Sequence, residues 1–160
     1  MVKKKILFVC LGNICRSPAA EAVMVAKLKE SGMNERIICD SAGILGYHAG
    51  EKADVRMRNH AVRRGYKVTS LSRKVRSEHD FEQFDMIIGM DEQNIKDLNL
   101  LVQSAAHRKK IFRMTEFSSQ TAYDHIPDPY YGGSDGFELV LDLLEDACDG
   151  LLEYLEKKNI

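Results

Sequence analysis

The sequence predicts an α/β fold: a central four-stranded parallel twisted sheet with helices on both faces, three α/β/α layers in all. Three observations lead there. Short apolar runs alternate along the chain with segments of helical period, the pattern of parallel strands joined by right-handed crossover helices. The first run, KILFVC at residues 5–10, is almost continuously apolar, as suits a strand covered on both faces. At 160 residues, 44% hydrophobic and 29% charged, the chain has the size and composition of one soluble core, so a single domain over 1–160 is expected.

Residues 5–10 form the first strand. SPAAEAVMVAKLKESG (17–32) follows as a helix, with Ser17 as cap, Pro18 in the first turn, Ala22, Val25, Ala26 and Leu28 as the inner face, and Gly32 as the stop. RIICDSAG (36–43) is the second strand, and ADVRMRNHAVRRGY (53–66) a helix offering Val55, Met57, Ala61 and Val62 for burial. FDMIIGM (84–90) is the third strand; the helix over 91–102 starts at Asp91, whose expected role is that of a cap rather than of a catalytic group. KKIFRM (109–114) is the fourth strand. The final helix, 135–158, carries a stripe of Phe137, Val140, Leu141, Leu144, Ala147, Cys148, Leu151, Leu152 and Leu155. The longest aperiodic segment is SSQTAYDHIPDPYYGGSDG (118–136), and loops of that length are usually functional or disordered. His48, His60, His79, His107 and His125 read as surface or core histidines.

Composition narrows the partners. A net charge of −1 gives no ground for nucleic-acid binding over the whole chain. The charge is uneven: nine Lys/Arg and one acid lie between Lys52 and Arg76, and eight acids and two lysines from Asp135 onward. These are either solvated helix faces or, for the basic stretch, a flank that steers an anionic substrate. Cys10, Cys15, Cys39 and Cys148 are too few for a disulfide scaffold and lack the paired spacing of a zinc site. The first apolar run spans about six residues, short of the roughly 7–15 of a signal core, and no stretch approaches the roughly 18 apolar residues of a membrane span. A cytoplasmic location with free thiols is the expectation, without membrane or nucleic-acid partners.

The chemistry concentrates in VCLGNICRSP (9–18). Cys10 ends a parallel strand, where ligands of open α/β sheets bind, and a helix begins a few residues later. The N–H groups of a short loop there can converge into an anion nest, with the helix dipole adding positive charge. Gly12 permits close approach or positive φ, and Asn13 tolerates the left-handed region. Arg16 supplies a planar fork for two oxygens of a phosphate. The same N–H groups would stabilise the anion of the Cys10 sulfur, the form in which a thiol is a nucleophile, and Ser17 can donate a hydrogen bond to it. The stretch has no Gly-Lys-Ser/Thr and is therefore not a Walker loop.

These residues resemble the signature of the low-molecular-weight protein tyrosine phosphatases, Val-Cys-x-Gly-Asn-x-Cys-Arg-Ser near the N-terminus, and SAG (41–43), DMIIGMDEQN (85–94) and DPYYGG (128–133) continue the match in order over essentially the whole chain. The resemblance implies a phosphotyrosine phosphatase working through a phosphocysteine on Cys10. Residues Leu11, Gly12, Asn13, Ile14, Cys15, Arg16 and Ser17 would bind the phosphate, and vanadate or similar oxyanions would occupy the same site. A phosphotyrosine-containing protein would be the substrate, and neither metal nor cofactor is required. Asp128, between Pro127 and Pro129, reads on its own either as an Asp-Pro turn or as a rigidly presented acid; the resemblance assigns it as the general acid.

Tyr130, Tyr131 and, on the opposite wall, Tyr47 would line the pocket by the same resemblance, and Tyr131 could instead be a phosphorylation site. Asn13 and Ser41 would hold the loop in shape. Cys15 is either a packed thiol or the partner of a reversible disulfide with Cys10, the reading the resemblance favours. Ile14 stands where related protein-arginine phosphatases tend to carry threonine, which favours an aryl phosphate. The downstream cysteines of arsenate reductases are missing around 76–90. One departure is SLSR (70–73), with Ser70 and Ser72 where many relatives have His-x-Ala-Arg. Phosphoarginine or a small phosphorylated metabolite is the competing substrate, and a phosphate-binding adaptor the competing class. The presence of Cys10, Arg16, Ser17 and Asp128 together argues against an adaptor.

Overall fold

Side-chain alternation in the first strand sets the layering. In β1 (Lys4–Cys10), Ile6, Phe8 and Cys10 face one way and Leu7 and Val9 the other, and all five are buried. A strand with no polar face must be covered on both sides. The computed structural model, which describes residues 3–130 and 133–158, supplies both covers. After β1 come α1 (Arg16–Glu30), β2 (Ile37–Gly43), α2 (Val55–Arg63), α3 (Ser77–Gln83), β3 (Met86–Gly89), α4 (Glu92–Leu101), α5 (Ala105–Arg108), β4 (Ile111–Arg113), a 3-10 turn (Met114–Phe117) and α6 (Ser134–Lys157). The strands pair in the order β2-β1-β3-β4, all parallel.

Val23, Met24 and Leu28 of α1 join Phe137, Val140, Leu144 and Leu151 of α6 against Ile6 and Phe8. On the other face Phe81 of α3 and Leu98 of α4 pack on Leu7, Val9 and Ile87. Each such buried side chain stabilises the fold by about 1.5–3 kcal/mol. The expected three-layer α/β/α architecture with a four-stranded parallel sheet is therefore present. The sheet order reverses direction at β1, so the crevice beyond its carboxyl end is the natural ligand position.

Several local expectations change. α1 begins at Arg16 with Cys15 at its cap position and no side-chain cap bond; Ser17 lies inside the helix, because its hydroxyl is engaged by Cys10 and Asn13. The buried face of α1 is Ala19, Ala20, Val23, Met24 and Leu28, while Val25 is 45% exposed. Apolar residues run almost all round this helix, so packing rather than pattern decides its phase. In α2, Met57, His60 and Ala61 go inward at i, i+3, i+4 spacing, and Val55 and Val62 stay 55% and 58% exposed. In α6 Leu143 is buried and Leu152 only partly so. The short helices α3 and α5 have no counterpart in the periodic pattern.

The uneven charge resolves into contact between its two halves. Arg64, just past α2, donates to Glu138 at 2.7 Å and lies 2.9 Å from Asp142 and beside Glu145, all on α6. His60 pairs with Glu138 as well. The Arg64 and His60 bonds hold the Glu138 carboxyl below the usual carboxylate range. Part of the basic stretch is thus neither free steering charge nor a solvated face. Among the described residues no helix is long and apolar enough to cross a membrane.

Candidate active site

Three segments at the carboxyl edge of the sheet surround one cavity of about 390 Å3. Its wall comprises Cys10, Leu11, Gly12, Ile14, Cys15 and Arg16 from the loop after β1, Leu45, Tyr47 and His48 from the loop after β2, and Asp128 and Tyr130 from the segment before α6. Cys10 is at the very end of β1, in register with Gly43, and its carbonyl accepts from the Ile44 N–H at 3.0 Å. The pairing runs on to Leu45, whose N–H donates to the Leu11 carbonyl at 2.9 Å. Gly43 is needed for this approach: a Cβ there would stand 3.0 Å from both the Leu11 oxygen and the Gly12 carbonyl carbon.

The loop then turns through Asn13, the one described non-glycine residue of positive φ, at 56°. Its side chain uses both N–H donors and its carbonyl oxygen. Nδ2 donates to Ser17 Oγ at 2.8 Å and to Ser41 Oγ at 3.0 Å, and Oδ1 accepts from the Arg73 N–H at 3.0 Å. Ser17 Oγ, which accepts from Asn13, lies 3.0 Å from Cys10 Sγ and 3.4 Å from the Ala42 carbonyl, so its one proton has the sulfur and that carbonyl as acceptors. Ser41 passes its own proton to Glu21 Oε1 at 2.7 Å; burial pushes the Glu21 carboxyl up, against the bonds from Ser41 and Ser70. Ser72 donates to the Gly12 carbonyl at 3.0 Å. The segment that departs from the His-x-Ala-Arg pattern thus still braces the loop, through Ser72 and the Arg73 main chain. Among the described residues, no backbone carbonyl accepts from the N–H groups of residues 11–15; these are the orphan donors of a nest at a helix N-terminus.

Arg16 is almost wholly buried, and its fork is held from behind. Nη1 donates to Asp91 Oδ2 at 2.6 Å and to the Ile126 carbonyl at 3.0 Å, while Nη2 lies 3.6 Å from Asp128 Oδ2. Asp91 does cap α4, in a capping box with Asn94, and anchors Arg16 as well; a cap position alone does not reveal this second duty. The Asp128 carboxylate accepts the Tyr130 N–H at 3.0 Å. Cys15 sits beside Cys10 on the wall; burial, reinforced by Asp54, Cys10 and Asp128, pushes its thiol up. All four cysteines are free thiols, so a Cys10–Cys15 disulfide stays an implication of the resemblance.

Of the residues singled out in the sequence, Cys10, Leu11, Gly12, Ile14, Cys15, Arg16, Tyr47, Asp128 and Tyr130 share the cavity wall, and Asn13, Ser17 and Ser41 stand behind it. Tyr131 falls outside the described residues. His48 also lines the cavity, a position that residue patterns did not single out. It packs edge-on to Tyr47 with centroids 4.9 Å apart, tilts toward Tyr130 at 6.4 Å, and its Nδ1 meets Glu51 at 2.7 Å. No spacing rule marks a lone histidine in a loop; only its neighbours do. Among the described residues, no three His, Cys, Asp or Glu side chains gather as metal ligands.

Comparison with known proteins identifies a family. Residues 5–160 match the family model described as low molecular weight phosphotyrosine protein phosphatase. The human low molecular weight phosphotyrosine protein phosphatase is 38% identical over 151 residues, 94% of each chain. A crystal structure of a protein tyrosine phosphatase from Entamoeba histolytica, with Hepes in its active site, superposes with a TM-score of 0.94 at 48% identity, covering 99% of this chain and 100% of that one. YfkJ from Bacillus subtilis superposes with a TM-score of 0.90 at 34% identity, covering 100% and 99%. The chain belongs to the low molecular weight phosphotyrosine protein phosphatase family.

Proposed function

We propose that the protein hydrolyses phosphotyrosine in proteins by way of a phosphocysteine intermediate. The observation that carries this reading is the meeting of Cys10, Arg16 and Asp128 in one cavity with the unpaired loop amides. A phosphate seated in the nest is held by those N–H groups and by the free edge of the Arg16 fork, with Nη1 fixed by Asp91. The Cys10 sulfur attacks as the thiolate, forming a bond to phosphorus with one of its lone pairs. The phosphorus–oxygen bond to the aryl group breaks, and its electron pair leaves with the oxygen, which takes the proton of Asp128. In the second step Asp128, now a carboxylate, takes a proton from water. The water oxygen bonds to phosphorus, and the phosphorus–sulfur bond breaks with its pair returning to Cys10 as the thiolate, 3.0 Å from the Ser17 hydroxyl oxygen. Arg16 and the amides carry the charge of both transition states.

The walls support an aryl substrate. Tyr47, at 85% exposure, and half-buried Tyr130 flank the mouth, with Leu45 and His48 between. The Hepes bound by the Entamoeba relative carries a sulfonate, a tetrahedral anion of phosphate's shape. The free thiols suit a reducing compartment, the cytoplasm. Cys10→Ser is expected to abolish hydrolysis of p-nitrophenyl phosphate while retaining vanadate binding; substantial residual turnover would refute the covalent route. Phosphotyrosine, phosphoserine and phosphoarginine peptides offered side by side decide the substrate class, with phosphotyrosine expected to lead.

A further inference from the structure

The proposed acid stands on a loop with no regular structure, yet it must be held at a set distance from a sulfur on another loop. The N-terminus of α2 touches both. Asp54, the cap of α2, donates its N–H to the Ile14 carbonyl at 2.8 Å, inside the phosphate loop. Two residues on, Arg56 grips the Asp54 carboxylate through Nε at 3.1 Å and Nη2 at 2.9 Å. The same Nη2 donates to the Tyr130 carbonyl at 2.9 Å. The guanidinium lies 4.9 Å from the Phe137 ring centroid, at the start of α6, and 5.5 Å from that of Tyr130, both within cation–π reach. Tyr130 in turn gives its N–H to Asp128. The bond from Arg56 holds the Asp54 carboxyl below the usual range. Apart from Asp54 and the Phe137 ring, the Arg56 side chain faces the acid loop and solvent, and it is 44% exposed.

We propose that Arg56 is the positioning residue of the acid loop, tying Tyr130 to Asp54 and hence to Ile14, so that Asp128 is presented to the leaving oxygen above Cys10. The inference rests on Asp128 being the general acid. A planar fork serves a carboxylate, a carbonyl and two rings at once, which an ammonium cannot do.

The test is leaving-group dependence. 2,4-Dinitrophenolate departs without a proton, whereas phenolate needs one. The quantity measured is the ratio of kcat/KM for 2,4-dinitrophenyl phosphate to that for phenyl phosphate, with vanadate inhibition as the check on the phosphate loop. Asp128→Ala is expected to raise the ratio by about 100-fold or more, the usual worth of general acid catalysis. Arg56→Gln is expected to raise it by about 10-fold and to leave vanadate inhibition within about twofold, with Arg56→Lys in between. If Asp128→Ala raises the ratio and Arg56→Gln does not, the positioning role is overturned and the acid assignment stands. If neither raises it, the acid assignment fails and the positioning role with it. An equal loss on both substrates with weakened vanadate inhibition would overturn the proposal in favour of a role in binding. Should Arg56→Gln lose its thermal transition, the ratio for Arg56→Lys decides by the same criteria.

Discussion

At Asn13 the backbone adopts a φ of 56°, which other L-residues enter at a cost of about 1–2 kcal/mol. Its amide also makes three bonds, to Ser17, Ser41 and the Arg73 N–H. Asn13→Ala is therefore expected to lower stability by about 4–5 kcal/mol, combining strain with three lost bonds worth about 1 kcal/mol each. Asn13→Gly should recover the strain but not the bonds, because glycine takes that φ freely. Urea unfolding separates the two, and equal losses would contradict the strain argument. Both variants should lose turnover together, since Ser17 is no longer oriented toward Cys10. The presence of Cys10, Asn13, Arg16, Ser17 and Asp128 was legible from the sequence because their residue types are unusual at a strand tip or between prolines. The anchoring by Asp91 and the place of His48 were not, because an aspartate at a helix start and a histidine in a loop have ordinary explanations that only contacts replace.

Among the elements, α6 closely approaches the 3-10 turn over Met114–Phe117 at Gly150. A Cβ on Gly150 would stand 1.8 Å from the Phe117 oxygen and 2.8 Å from its carbon, both backbone atoms. Gly150→Ala must therefore push the turn off the helix, and a loss of about 3 kcal/mol is expected in thermal or urea unfolding. An unchanged midpoint would mean the turn yields without cost. The four strands and the four longer helices follow from apolar runs and helical period. α3 does not: SEHDFEQ has one large apolar residue, and the helix is held by Phe81 in the core and by the Asp80 carboxylate receiving the Arg76 N–H at 2.7 Å. The inner faces of α1 and α2 likewise depend on what they pack against. The apolar run of α1 allows more than one phase, and His60 turns inward because Glu138 receives it.

Across the whole molecule, the loop after β1 leans on a partly buried charge pair behind it. Arg73, whose N–H supports Asn13, donates to Asp80 at 3.0 and 3.2 Å and to Asp40 at 3.1 Å. The Asp80 side chain has no exposure. Burial pushes its carboxyl up, but the bonds from Arg73 and the Arg76 N–H outweigh this, and it lies below its ordinary value of 3.8. A depressed carboxyl contributes stability that is complete above its unfolded value and is lost as pH falls through the folded one. Stability should therefore drop as pH falls below about 4. Asp80→Asn should flatten that acid limb and cost about 2–3 kcal/mol at neutral pH; the same acid slope in both proteins, followed by urea midpoints from pH 3 to 7, would contradict the assignment. By itself the sequence determined the α/β class and the strand-to-helix turn that carries the thiol and guanidinium, whereas Asp128 read alone was either an Asp-Pro turn or an acid. These are local properties: side-chain period, turn chemistry and residue type at a given position. Only the tertiary structure decided which charges meet, which helix faces turn inward, and how Asp91, Arg73 and Arg56 reach the site from distant parts of the chain. Those choices depend on three-dimensional neighbours, which no spacing along a single chain encodes.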